Sequence, residues 1–130
     1  MESATPNFEE FAAAGSRLNT IFIGITGNGT LSLYSGFYYA EKLDKYKYVS
    51  LLFDRTGYIG VKFYEQDDPE KNLLKITHSK DGKSNGWISA NNFFTFYKLD
   101  AKKLKGKYTP KAVNTEKWGK VFFIDIKGKI

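Results

Sequence analysis

The sequence has no cysteine, one histidine and only three prolines in 130 residues. Without cysteine, the chain can form neither a disulfide framework nor a thiolate metal site. With a single histidine, a zinc site would need carboxylates, and these do not cluster convincingly along the chain. No apolar run approaches the ~20 residues of a membrane-spanning helix, and Met1–Arg17 lacks the basic start and apolar centre of a secretory signal. We therefore expect a soluble, cytoplasmic protein with no metal ion or other cofactor.

Arginine is also scarce, because Arg17 and Arg55 are the only two in the chain. Two arginines give little support to bidentate reading of bases, whereas lysine is available for contacts to phosphate. Residues 1–70 hold 6 Lys/Arg and 10 Asp/Glu, a net charge of −4, whereas residues 71–130 hold 14 Lys and 4 Asp/Glu, a net charge of +10. This asymmetry predicts an anionic partner for the second half. The alternative is that the lysines only solvate the surface.

Residues with catalytic chemistry have no evident partners along the chain. His78 shares its strand phase with apolar neighbours, which is typical of a half-buried or rim position rather than of a general base. The acidic residues of Asp67–Glu70 lie in a linker and fit a solvated loop better than a cation site. Gly27–Gly29 lacks the lysine and the strand–loop–helix setting of a phosphate-binding loop. We therefore expect no catalytic residue and predict that the protein is not an enzyme.

Alternation of apolar and polar residues predicts a β-rich fold with short helices, in a single domain over residues 20–130. Residues 1–19 are expected to form a helix or a tail. Two further short helices are expected, one capped by Ser35 and one capped by Asn91 or Asn92. The predicted strands are Thr20–Ile25, Thr30–Tyr34, Tyr48–Phe53, Tyr58–Tyr64, Leu73–Ser79, Trp87–Ala90, Tyr108–Val113, where Pro110 favours a sheet edge, and Trp118–Ile126.

The two halves of this domain resemble each other. The matching positions are Gly29–Ser32 with Gly86–Ser89, Phe37 with Phe93, and Lys42–Asp44 with Lys98–Asp100. Each half gives the order strand, turn, strand, helix, strand, turn, strand, and neither half could bury its apolar face alone. We therefore expect an α+β fold in which two similar ββαββ halves, residues 20–64 and 73–126, pack into one β-rich barrel. The alternative is a chance likeness between two β-rich segments.

A turn glycine, a strand, a helix and an apolar hairpin follow one another in the first half: Gly29, Leu31–Leu33, Phe37–Leu43, Val49–Phe53 and Ile59–Phe63. In this order they resemble the AbrB/MazE/SpoVT class of swapped-hairpin DNA-binding domains. Members of that class are usually homodimers in which two such units interlace into a barrel, so the resemblance implies a single-chain pseudo-dimer. The class usually has a proline after the second strand and DNA-contacting arginines nearby. This chain has neither, so the resemblance carries over no DNA-binding residue.

Lysines and aromatic residues are interleaved towards the end of the chain. Lysine contacts phosphates without sequence preference, and aromatic faces can stack on unpaired bases. We therefore predict a non-catalytic nucleic-acid-binding protein, such as a transcription-regulator-like DNA binder, with DNA or RNA as its partner. The predicted contact residues are Lys98, Lys102, Lys103, Lys105, Lys107, Lys111, Lys117, Lys120, Tyr108 and Trp118. The alternative for these residues is that the aromatic rings are core residues and the lysines solvate a loop.

The sequence is also compatible with a second function. Tyrosine-rich patches favour protein interfaces, and Tyr38, Tyr39, Tyr46 and Tyr48 are close together in the sequence. They predict a protein-interaction or structural subunit, with a homo-oligomer or a different protein as partner. Salt separates the two functions, because phosphate binding weakens steeply with salt and an aromatic interface does not.

Overall fold

The computed structural model describes residues 21–80 and 85–128. The helix or tail expected over residues 1–19 and part of the loop after Lys80 lie outside these ranges. The described residues form a β-rich fold, as expected, with ten strands, three short α-helices and one turn of 3-10 helix at Leu43–Lys45. The strands are β1 (Ile23–Ile25), β2 (Thr30–Leu33), β3 (Tyr48–Asp54), β4 (Tyr58–Tyr64), β5 (Leu74–Lys75), β6 (Thr77–His78), β7 (Gly86–Ser89), β8 (Gly106–Tyr108), β9 (Lys111–Thr115) and β10 (Gly119–Asp125). The α-helices are α1 (Ser35–Ala40), α2 (Asn91–Phe96) and α3 (Ala101–Leu104).

The strands form two antiparallel five-stranded sheets. Sheet A has the order β6-β7-β2-β1-β8, and sheet B has the order β5-β3-β4-β10-β9. The hairpin turns of sheet B end at Gly57 and Gly119, whose φ angles of 119° and 69° favour glycine. The two sheets are hydrogen-bonded separately and are not closed, so the barrel expected from the sequence is not seen as one continuous sheet.

One hydrophobic core joins both sheets and the helices α1 and α2. Leu31, Ile59, Ile88 and Ile124 have no exposed surface. These residues alternate with more exposed ones along their strands, which is the pattern that predicted the strands. Burial of each such side chain favours the folded state by about 1.5–3 kcal/mol relative to an exposed position. In the described part of the chain, no helix is long and apolar enough to span a bilayer.

Several local expectations are wrong. Ala90, and not Asn91 or Asn92, is the N-cap of α2. The strand expected over Leu73–Ser79 is divided into β5 of sheet B and β6 of sheet A. Tyr34 is the N-cap of α1 and Ser35 its first helical residue, and the cap makes no side-chain hydrogen bond. The strand expected around Pro110 is divided into β8 of sheet A and β9 of sheet B, because proline has no N–H for a ladder. Helix α3, which apolar spacing does not predict, is capped by Asp100, whose Oδ1 accepts the Lys102 N–H at 3.0 Å.

Near the centre of each sheet, two strands from distant parts of the chain pair with each other. In sheet A, β2 pairs with β7, and Leu31 lies opposite Ile88. In sheet B, β4 pairs with β10, and each carries its own hairpin partner on the outer side. Both central pairs therefore join a strand of residues 20–64 to a strand of residues 73–126.

The helices α1 and α2 also end alike. The carbonyl of Phe37 accepts an N–H from four residues later at 3.0 Å, and that of Phe93 does the same at 3.2 Å. Each helix is followed by a lysine in the left-handed region, Lys42 with φ 52° and Lys98 with φ 56°. Lys42 and Lys98 are also matched with each other in the sequence comparison of the two halves.

Candidate nucleic-acid interface

The predicted contact lysines lie in three places rather than in one cluster. Beside sheet A lie Lys102, Lys103, Lys105 and Lys107, on α3 and β8; on the β9–β10 hairpin of sheet B lie Lys111, Lys117 and Lys120; and Lys98 follows α2. These lysines therefore do not form one continuous basic surface.

One of the three lysines of the β9–β10 hairpin pairs with a carboxylate, and a second lies over an aromatic ring. The Nζ atom of Lys120 lies 3.5 Å from Oε1 of Glu41 and 4.9 Å from the centre of the Phe122 ring. The Nζ atom of Lys117 lies 5.0 Å from the centre of the Trp118 ring, which is 36% exposed. Because the Glu41 carboxylate offsets part of the charge, this hairpin attracts an anion less than its lysine content suggests.

The prediction that Tyr108 stacks on a base is wrong. Tyr108 is 1% exposed, and its hydroxyl donates a hydrogen bond to the carbonyl of Leu104. Burial raises the pKa of the Tyr108 phenol above its ordinary value. Since β8 pairs with β1, Tyr108 lies opposite Ile23 on the core side of sheet A.

A groove of about 400 Å³ crosses the outer face of sheet A. Its floor is formed by β1 and β2, and one wall is formed by the segment that enters β8. We call it the sheet A groove, and its residues are Gly24–Gly27, Ser32, Tyr34 and Lys105–Lys107. No Asp or Glu is among these described lining residues.

Two lysines, Lys105 and Lys107, line the sheet A groove because β8 lies beside β1, with Lys107 opposite Gly24. A Cβ atom at Gly27 would lie 3.7 Å from Cδ of Lys105 and 3.9 Å from Cγ of Lys102, so both stems lie against the β1–β2 turn. The ion pairs within the described residues involve other lysines. The ammonium groups of Lys102, Lys105 and Lys107 are thus available to a dissolved anion.

Aromatic rings lie next to these lysines. A Cβ atom at Gly24 would lie only 2.8 Å from Cε1 of Tyr34, which shows that the tyrosine ring rests on the glycine backbone. The Phe22 ring meets the Tyr34 ring edge to face, with centres 5.9 Å apart. The Nζ atom of Lys107 lies 5.2 Å from the centre of the Phe22 ring, within the range of a cation–π contact.

No protein-family model, curated protein or solved structure matches this chain. The chemistry of the groove is therefore the guide to its ligand. Ammonium groups, hydroxyls, backbone amides and aromatic faces can together bind phosphates and flat rings.

Trp87 lies on the same face of sheet A as the groove and is 39% exposed. In the cross-strand pairing, Trp87 lies opposite Ser32. Ser32 lies opposite Gly24 on its other side, and Gly24 lies opposite Lys107. A second cavity, of about 320 Å³, lies between Tyr34 and Trp87. Trp87 was not among the predicted contact residues, although the alternation in Gly86–Ser89 already turns its side chain away from the core.

Two titratable groups elsewhere, His78 and Asp54, have structural hydrogen bonds. His78 Nε2 lies 2.7 Å from the Tyr46 carbonyl, which can only accept, so Nε2 donates; Nδ1 lies 2.6 Å from the Tyr38 hydroxyl oxygen. His78 is half-buried, as expected. Backbone and side-chain hydrogen bonds from Thr56 lower the pKa of Asp54 in the β3–β4 turn. Among the described residues, no three His, Asp or Glu side chains are grouped as a metal site would need.

The four tyrosines of the alternative interface do not share one exposed patch. Tyr38 is 1% exposed and belongs to the core, so its predicted exposure is wrong. Tyr39 is 54% exposed, whereas Tyr46 and Tyr48 are partly buried, and the Tyr46 ring packs 5.4 Å from that of Phe63.

Proposed function

We propose that this protein is a non-catalytic nucleic-acid-binding protein whose contact surface is the sheet A groove. The observation that carries the proposal is that Lys105 and Lys107 line a groove that has no carboxylate in its described lining, with the stem of Lys102 beside it at the β1–β2 turn. Lysine ammonium groups neutralise phosphates and release their counterions, which drives binding without sequence preference.

The rings beside these lysines favour a nucleic acid over a simple anion. Phe22 and Tyr34 pack against each other at the edge of the groove, and Lys107 lies over Phe22. A site for free phosphate would need only charge and backbone amides, whereas rings next to ammonium groups can also contact bases or sugars.

Comparison of the two lysine groups tests the proposal. One variant replaces Lys102, Lys105 and Lys107 with glutamine, and a matched control replaces Lys111, Lys117 and Lys120, which removes the same formal charge from sheet B. Binding of DNA and RNA oligonucleotides is measured by fluorescence anisotropy over a range of salt concentrations. Exposed substitutions of this kind usually change stability by less than ~0.5 kcal/mol each.

We expect the parent protein to bind more weakly as salt rises. The groove variant should lose about 2 units of the log–log salt slope, at ~0.7 for each lost single-strand phosphate contact, and the control should keep most of the slope. An equal loss in both variants would mean that overall charge, and not the groove, attracts the ligand. Absence of binding by the parent at low salt would refute the proposed function.

We also propose that the two halves of the domain are related by duplication and pack around a pseudo-twofold axis. The central pairs β2–β7 and β4–β10 support this, because each joins corresponding strands of residues 20–64 and 73–126. The left-handed lysines after α1 and α2 support it independently. Such a single-chain pair is what the resemblance to AbrB/MazE/SpoVT domains implies.

A further inference from the structure

Trp87 and the sheet A groove form one path across sheet A. From Trp87 on β7 to Lys107 on β8, the path crosses three strand spacings, about 14 Å at ~4.8 Å each. At the ~3.4 Å rise of a stacked strand, this length accommodates about four nucleotides. Tyr34 stands between the two cavities of the path.

The surroundings of Trp87 leave room for a flat ligand. Its cross-strand neighbour on one side is Ser32 and on the other is Thr77, both small side chains. An exposed indole beside small residues offers a face on which a base can stack. The base would then lie in or beside the cavity of about 320 Å³ between Trp87 and Tyr34.

A duplex fits this surface less well than a single strand. In a duplex, neighbouring base pairs cover the base faces, so Trp87 would have nothing to stack on. Readers of the major groove insert a helix or a two-stranded ribbon, whereas α1 and α2 have six residues each and contribute Phe37 and Phe94 to the core. The one arginine in the described residues, Arg55, lies over the Tyr97 ring at 5.6 Å and away from the sheet A groove.

We infer that the sheet A groove and Trp87 together bind single-stranded nucleic acid, with one base stacked on the Trp87 indole and phosphates held by Lys105 and Lys107. This inference rests on the proposed function and adds the class of ligand to it. Ser32 and Gly24 lie between the indole and the lysines and form the floor over which the nucleic-acid strand runs.

The two tryptophans of the chain provide the test and its control. In a Trp118→Phe variant, Trp87 is the only tryptophan, and its fluorescence reports stacking directly. The probe is an oligothymidylate of about 15 nucleotides, within the site sizes of single-strand binders. A duplex of equal length and an abasic strand with the same phosphates are compared with it.

We expect the single strand to quench Trp87 fluorescence, and the abasic strand to bind without quenching. Trp87→Ala should weaken single-strand binding by about 5- to 150-fold, the range that stacking of one base gives, and leave duplex binding nearly unchanged. Trp118→Ala, which removes a tryptophan of similar exposure from sheet B, should change neither. Thermal unfolding of both alanine variants checks that they fold.

Two other outcomes are distinguishable. If the duplex binds as tightly as the single strand, without quenching and without an effect of Trp87→Ala, the single-strand inference is overturned while the proposed function stands. If neither probe binds to the parent protein at low salt, the single-strand inference and the proposed function are both refuted.

Discussion

At the scale of single residues, strand phase decides whether an aromatic ring is part of the core or of the surface. Tyr108 is 1% exposed, whereas Trp87 is 39% exposed, and both lie on short strands of sheet A. The lysines on either side of Tyr108 suggested a polar surface, but Lys107 and Tyr108 point to opposite faces of β8. The alternation around Trp87 was the more reliable signal, because Ile88 beside it is fully buried.

Substitution of Tyr108 should therefore affect stability rather than binding. Tyr108→Ala removes a buried ring, and we expect it to lower the free energy of unfolding by about 3–5 kcal/mol. Tyr108→Phe keeps the ring and loses the hydrogen bond to the Leu104 carbonyl. This substitution should lower the free energy of unfolding by only about 0.5–1.5 kcal/mol. Chemical denaturation measures both values. A fully stable Tyr108→Ala protein with weakened oligonucleotide binding would show that the ring faces the ligand after all.

At the scale of elements, regular apolar alternation was sufficient to predict most strands. The hairpin of β3 and β4 agrees with the prediction to within one residue, because Ile59, Val61 and Phe63 recur at every second position and a turn with glycine separates the strands. Helix α3 was missed because it has four residues and no apolar stripe. The division at Pro110 was missed because the proline was interpreted only as an edge signal, and not as the point where the chain passes from sheet A to sheet B.

The equivalence of the two helix ends makes a quantitative prediction. Lys42 and Lys98 adopt left-handed conformations, which cost a residue with a Cβ atom roughly 1–2 kcal/mol, while glycine pays about 0.5–1 kcal/mol of extra entropy. Lys42→Gly and Lys98→Gly should therefore each raise the free energy of unfolding by up to about 1 kcal/mol.

Lys45→Gly is the control, because Lys45 lies in the 3-10 turn and is not among the described residues with positive φ. It should destabilise the protein by about 0.5–1 kcal/mol. Urea denaturation of the three variants gives these differences. Opposite signs at Lys42 and Lys98 would contradict the equivalence of the two helix ends and weaken the case for duplication.

At the scale of the whole molecule, the candidate site is assembled by topology that local patterns do not contain. Composition indicated that lysines of the second half would bind an anion, but it could not show that Lys107 lies opposite Gly24 while Lys111 belongs to the other sheet. Long-range pairing of β1 with β8 brings Lys105 and Lys107 of the predicted set to the groove, and Lys102 lies next to it at the β1–β2 turn. The same pairing brings them beside Phe22 and Tyr34, which precede them by about eighty positions in the sequence.

Mapping of the bound oligonucleotide by NMR tests the central claim most directly, because it shows which surface carries the ligand. Backbone amide shifts of the isotope-labelled parent protein are followed during titration with oligothymidylate at low salt. We predict that the largest changes occur on the outer face of sheet A, at Gly24, Ser32, Trp87 and Lys107, with small changes on the β9–β10 hairpin. Changes concentrated at Lys117 and Lys120, or no changes at all, would contradict the assignment of the sheet A groove as a nucleic-acid interface.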